Sequence, residues 1–253
     1  MILESFRLYG KKALVTGSDK GLGAAIALAL AEAGADVALH ARGSRPEKLM
    51  QQIRAAGRQV TFISADLSDP GVCSLLISEV IAELGGLDIL VNNAGTIRRS
   101  PAVEHSLEDW ELVLTVNLTS VFRLCQFAGK HMIERGGGKI INIASVLSFQ
   151  GGILVPGYAA SKGGIVQLTK TLANEWAAKQ VNVNAIAPGY MITDNTAALR
   201  SDSQRGGKIL ERIPAGRWGE PEDLAGAAVF LASTASSYVN GHVLAVDGGW
   251  LAR

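Results

Sequence analysis

Cysteine is nearly missing from this sequence. Cys73 and Cys125 are the only two among 253 residues, and they form neither a metal-ligand spacing nor a disulfide framework. Two small buried side chains in a reducing compartment is the simpler reading. Histidine is equally sparse: His40, His105, His131 and His242 are scattered without a ligand pattern, so no resident metal is expected. Neither sign of charge dominates. Lys and Arg total 24 against 23 Asp and Glu, a net charge of +1, which gives no field for nucleic acid or a membrane surface. No apolar run reads as long enough to span a bilayer, and Met1-Ile-Leu-Glu-Ser-Phe lacks the apolar stretch of a signal peptide. The expected location is cytoplasmic, which leaves the glycosylation match at Asn117-Leu-Thr119 without meaning. Linkers, low-complexity tracts and internal repeats are absent.

What is plentiful is glycine, 29 residues, in a chain 48% hydrophobic but only 6% aromatic. That composition suits helices packed tightly on a sheet. Short apolar runs alternate with helical patterns. Strands are expected at Lys12–Thr16, Asp36–His40, Val60–Ser64, Ile89–Asn92, Lys139–Ala144, Val181–Ala187 and His242–Val246. Helices are expected at Leu22–Ala33, Pro46–Ala56, Gly71–Leu84, Tyr158–Lys179 and Pro221–Ser233. A further long one begins at the capping box Ser106-Leu-Glu-Asp109 and reaches Arg135. The strands are almost continuously apolar, as burial on both faces of a parallel sheet requires. The pattern predicts an α/β fold: one Rossmann-type, doubly wound parallel sheet of seven strands with helices on both faces, forming a single domain over 1–253. Residues 190–213 contain no strand and are expected to form a lid.

The turn Thr16-Gly17-Ser-Asp-Lys-Gly21-Leu-Gly23 follows the first strand and opens the first helix. Glycines there let backbone approach a pyrophosphate, and the helix end offers free N–H groups. The spacing is G-x-x-x-G-x-G, and no G-K-[ST] of a phosphate-binding P-loop follows. At the end of the second strand, the place of an aspartate that would accept the 2′-hydroxyl of NAD is held by Ala41. Arg42 follows, and Lys20 projects from the glycine turn. Two cations there suit a 2′-phosphate, so NADP(H) is favoured over NAD(H).

Tyr158-Ala-Ala-Ser-Lys162 places a phenol and an ammonium one helical turn apart. A free tyrosine holds its proton to about pH 10. A neighbouring cation favours the phenolate, and a shift of about three units takes roughly 4 kcal/mol. Burial, Lys162 and a cationic cofactor ring are expected to supply it together. Ser145 lies thirteen residues upstream of Tyr158 at the end of an apolar strand.

Thr16–Gly23, Asn92-Asn93-Ala94-Gly95, Asn117, Ser145, Tyr158-x-x-x-Lys162 and Pro188-Gly189 with Thr193 together resemble the short-chain dehydrogenase/reductase family over nearly the whole chain. The resemblance implies hydride transfer with Tyr158 as acid–base, Ser145 binding the reacting oxygen, Lys162 holding the nicotinamide ribose and Asn117 anchoring a water toward Lys162. It implies that Gly17, Gly21 and Gly23 frame the pyrophosphate. Asp66 meets adenine, Asn92, Ala94 and Gly95 line the adenosine side, and Pro188, Gly189 and Thr193 meet the nicotinamide side. Ser18, Leu22, Leu67 and Asn93 complete the expected cofactor set.

Arg98-Arg99, Asn142–Gly152, Asn174–Trp176, Ala187–Met191, Ile213–Gly219 and Val246–Arg253 resemble a subgroup acting on sugar acids, usually described as NAD-linked. The expected substrate is a small keto or hydroxy sugar acid, with a 3-oxoacyl thioester or a dinucleotide-sensing role as alternatives. Arg98 or Arg99 is expected to pair with the substrate carboxylate, and Gln150 with a hydroxyl. Ile165, Val166, Leu168, Leu172 and Trp176 occupy more than one face of the Tyr158 helix. That pattern suggests a partner surface, and the resemblance implies a homotetramer.

Overall fold

Seven strands form, all parallel: β1 (Lys12–Thr16), β2 (Asp36–Ala41), β3 (Val60–Ser64), β4 (Ile89–Asn92), β5 (Gly138–Ile143), β6 (Val181–Pro188) and β7 (Val243–Val246). The computed structural model describes residues 1–253. The strands lie in one sheet in the order β3-β2-β1-β4-β5-β6-β7. Val15 of β1 stands between Leu39 of β2 and Val91 of β4. The order reverses there, and such a switch point opens a crevice at the carboxyl ends of the strands.

Period-two alternation between two cores explains why the central strands are almost continuously apolar. Leu14, Leu90 and Ile140 point into a core shared with α3 (Val72–Leu84), α5 (Ser120–Glu134) and α6 (Pro156–Trp176). Val15, Val91 and Ile141 point into a second core under α1 (Gly21–Glu32), α2 (Glu47–Ala55) and α9 (Ala225–Ala232). A one-sided sheet would have required polar residues at every second position.

The expected helix from Ser106 to Arg135 is not uniform. It comprises α4 (Leu107–Leu114), a π-helical turn at Thr115–Thr119, and α5. Ser106 does cap it, its hydroxyl accepting the Asp109 N–H. Contrary to the sequence expectation, Leu107–Glu134 is long and apolar enough to cross a membrane by length and composition. In the fold it lies against the sheet and buries Val121, Leu124, Ala128 and Met132. The segment after β6 holds two helices the sequence did not reveal, α7 (Asp194–Ser201) and α8 (Ser203–Arg212). Both are mostly polar and exposed, so no buried stripe marks them.

The apolar residues of α6 find partners within one chain. Ile165, Val166 and Leu172 are buried, and Leu168 and Trp176 pack against the same core. Trp176 lies against Gly129 of α5, where an added Cβ would sit 2.7 Å from the indole. The helix therefore does not by itself require a partner surface.

Candidate active site

The glycine turn is shaped by contacts from across the sheet. Gly17 and Gly21 adopt left-handed backbone, φ +61° and +55°. At Gly23 a Cβ would meet the Gly17 carbonyl oxygen at 2.1 Å. The Thr16 hydroxyl accepts the N–H groups of Asn93 and Ala94, both at 3.0 Å, and the Asn93 amide donates to the Thr16 and Gly17 carbonyls at 2.9 and 2.8 Å. His40, buried on β2, accepts the Gly17 N–H on Nδ1 at 3.3 Å, so its Nε2–H donates to the Ala65 carbonyl at 3.2 Å. Burial holds its pKa below the ordinary 6.5, which keeps the imidazole neutral. No sequence signal marks His40, because its partners lie just past the ends of two other strands, β1 and β3.

A cleft of about 470 Å³ opens beside this turn. Gly17, Lys20, Gly21 and Leu22 form one wall, and Asn93, Ala94 and Gly95 a second. Tyr158, Lys162 and Thr193 face them. Asp19, Ile143, Ile192, Asp194 and Asn195 also line the cleft and were not anticipated. Ser18, Gly23, Arg42, Asp66, Leu67, Pro188 and Gly189 lie outside it. Ser18 is buried, with its hydroxyl committed to the backbone of His40. Arg42 is exposed and its guanidinium is 3.9 Å from Asp66, whose carboxylate also accepts the Ser68 N–H. Lys20 reaches across the cleft mouth to Asp194, 2.6 Å away. The α1 N-terminus has no side-chain cap, so its leading N–H groups are free for an anion. With the two left-handed glycines and the Cβ-free approach at Gly17, this cradle fits the pyrophosphate of a dinucleotide.

At the floor of the cleft, Lys162 is 4% exposed. Its ammonium donates to the Ile143 carbonyl at 2.5 Å and stands 5.7 Å from the centre of the Tyr158 ring. Burial lowers its pKa to about 8. Burial raises the Tyr158 pKa above 10, while the Ser145 hydroxyl and the Arg99 charge oppose the rise. Lys162 donates to backbone over the ring face, and Arg99 is a further cation acting on the phenol. Ser145, 8% exposed, accepts the Leu147 N–H at 3.1 Å. Its own proton remains free to donate.

Asn117 is fully buried in the π turn, a feature often found at functional positions. Its side chain accepts the Thr96 N–H at 2.8 Å and donates to the Thr96 carbonyl at 2.9 Å and to Ser161 at 3.2 Å. It clamps the loop after β4 to α6. The two arginines on that loop diverge. Arg98 pairs with Asp109 at 3.0 Å and donates to Thr96 and Ile97. Arg99 donates to the Asn195 carbonyl at 2.8 Å. Gln150 meets Arg212 of α8 at 3.4 Å.

Residues 17–251 match the family model described as enoyl-(acyl carrier protein) reductase. The 2-dehydro-3-deoxy-D-gluconate 5-dehydrogenase of Escherichia coli K12 is 56% identical, with all of both chains covered.

The chain belongs to the short-chain dehydrogenase/reductase family.

Among solved structures, one described as a 2-deoxy-D-gluconate 3-dehydrogenase from Agrobacterium tumefaciens with bound NADP is 54% identical. It superposes with a TM-score of 0.93 over 98% of this chain and 99% of that one. One described as an NAD(P)-dependent gluconate 5-dehydrogenase from Beutenbergia cavernae with bound NADP at low occupancy is 51% identical. Its TM-score is 0.95, over 98% of this chain and 100% of that one. As a short-chain dehydrogenase/reductase, this protein is an enzyme that acts on CH–OH groups with a nicotinamide dinucleotide.

Proposed function

We propose that the enzyme interconverts a keto and a hydroxy sugar acid, with 2-dehydro-3-deoxy-D-gluconate and its 5-oxo form as the substrate pair. The observation that carries this is the full-length 56% identity to an enzyme named for that reaction, on a chain that retains Ser145, Tyr158 and Lys162 together in or beside one cleft. Gluconate 5-dehydrogenase is the second reading, supported by the 51% identical structure described so.

A bound nicotinamide supplies or accepts the hydride and, when oxidised, adds a positive charge near Tyr158. During reduction Tyr158 donates its proton to the substrate oxygen, and during oxidation it takes a proton back. The Ser145 hydroxyl, already an acceptor for Leu147, donates to that oxygen and stabilises its developing charge. Lys162 holds the nicotinamide ribose. Both N–H groups of the Asn117 amide are engaged, with Thr96 and Ser161, and its backbone carries the expected water link to Lys162. Arg99 and Gln150 lie on the substrate side. Residues 190–213 act as the lid, tied down through Lys20–Asp194 and Arg99–Asn195.

Lys20 and Arg42 favour NADP(H), since no acid stands where a 2′-hydroxyl would be accepted. The remaining expected cofactor contacts are proposed with it: Gly17, Ser18, Gly21, Leu22, Gly23, Asp66, Leu67, Asn93, Ala94, Gly95, Pro188, Gly189 and Thr193. The enzyme works in the cytoplasm as a homotetramer.

The test is a steady-state panel of NADPH and NADH, each against 2,5-diketo-3-deoxygluconate, 5-ketogluconate and an acetoacetyl thioester. The highest kcat/KM is expected for the first acid with NADPH. Preference for the thioester would overturn the sugar-acid reading, and preference for NADH would overturn the cofactor reading.

A further inference from the structure

Arg212 ends α8 with its guanidinium 4.1 Å from the centre of the Trp250 ring. Trp250 is 4% exposed and Tyr190 packs against it at 4.6 Å. A guanidinium stacked on a buried indole is fixed by its face and keeps its N–H edge for hydrogen bonding. One edge nitrogen reaches Gln150, on the loop that leads from Ser145. The eight ion pairs of the chain include neither Arg212 nor Arg205, one α8 neighbour toward the same tyrosine. The half-buried Tyr190 hydroxyl makes no hydrogen bond to protein, and burial raises its pKa while Arg212 and Arg205 act to lower it. The Trp250 indole N–H is buried without a partner. One aromatic-backed corner between the Ser145 loop and α8 thus holds an uncompensated guanidinium, a phenol and an amide, with a second guanidinium, Arg205, acting on the same phenol. That donor set matches a carboxylate with an adjoining oxygen function.

We infer that Arg212, supported by Arg205, Tyr190 and Gln150, binds the carboxylate of the substrate. The inference rests on the proposed sugar-acid reading and goes beyond it by assigning the specificity contact to α8 rather than to the loop after β4. The two expected candidates are otherwise placed. Arg98 is neutralised by Asp109. Arg99 is tied to the Asn195 carbonyl beside the cleft that Tyr158 lines, and so stands by the reacting carbon. In a substrate reduced at C5 the carboxylate lies several bonds from that carbon, so it needs a different cation. Carriage on α8 also makes the charged end of the substrate a ligand of the lid, so that binding and closure proceed together.

The test compares Arg212→Gln and Arg212→Lys with the unaltered enzyme on 2,5-diketo-3-deoxygluconate and on its methyl ester. Melting temperature and NADPH titration serve as folding controls. Loss of a charge-assisted hydrogen bond is expected to raise KM for the acid by on the order of 10- to 100-fold. kcat, KM for the ester and NADPH affinity should be nearly unchanged. Arg212→Lys should recover part of the loss, since it keeps the charge without the planar fork. Should the acid and ester KM values rise together, or should neither move, Arg212 is not the carboxylate ligand. Arg205→Gln provides a second variant if Arg212→Gln does not fold, with the same acid-selective rise expected and the same contrary outcomes. Failure of the unaltered enzyme to reduce any sugar acid would overturn both this inference and the proposed function. Turnover with unaffected variants would overturn the inference alone.

Discussion

Tyr158 illustrates what spacing can and cannot reveal. Its four-residue separation from Lys162 correctly places both at one cleft, but sequence distance does not say where an ammonium points. Lys162 turns to the Ile143 carbonyl, and burial then outweighs every favourable charge on the phenol. Beside the Ser145 hydroxyl, the Arg99 charge opposes burial. Its removal raises the Tyr158 pKa further. In the oxidation direction Tyr158 must be unprotonated, so the rising limb of the kcat/KM–pH profile should move to higher pH in Arg99→Ala. The same profile in Arg98→Ala should stay in place, because Arg98 is engaged by Asp109. Identical profiles for Arg99→Ala and the unaltered enzyme would remove Arg99 from the reaction centre. The pair looked equivalent in sequence because the partners that separate them, Asp109 and Asn195, lie on two different helices, α4 and α7.

At the scale of elements, the strands were the most legible feature, since burial on both faces makes the central ones almost continuously apolar. The glycine turn was legible too. What fixes it was not: Asn93 from β4 and His40 from β2 grip its carbonyls and amide, contacts that exist only once the strands are ordered. Gly23→Ala tests that grip. Its methyl would meet the Gly17 oxygen at 2.1 Å and the Asn93 amide at 2.5 Å. Such overpacking should cost about 1–3 kcal/mol of stability. It should also weaken NADPH binding, measured by fluorescence titration alongside thermal unfolding. An unchanged melting point and affinity would show that the turn is softer than described. The π turn at Asn117 and helices α7 and α8 escaped detection for opposite reasons: one continues a helical pattern, the others bury too little to make one.

The whole molecule presents surfaces its own chain does not cover. Val103, Leu107 and Phe122 expose apolar side chains around α4 and α5, and β7 bonds only to β6, which leaves an open sheet edge. Both features favour pairing with further copies. Light scattering over a dilution series should find a tetramer, and a monomer at every concentration would contradict the proposed assembly. The apolar residues of α6 add nothing to these surfaces, since they are satisfied internally. Amphipathic patterning shows that a face is buried, not which chain buries it.

Proton transfer through Tyr158 is tested most directly by the turnover of Tyr158→Phe with a sugar acid and NADPH. Removal of the hydroxyl should lower kcat by on the order of 10²- to 10⁴-fold while NADPH still binds. Turnover close to that of the unaltered enzyme would show that the proton moves by another route.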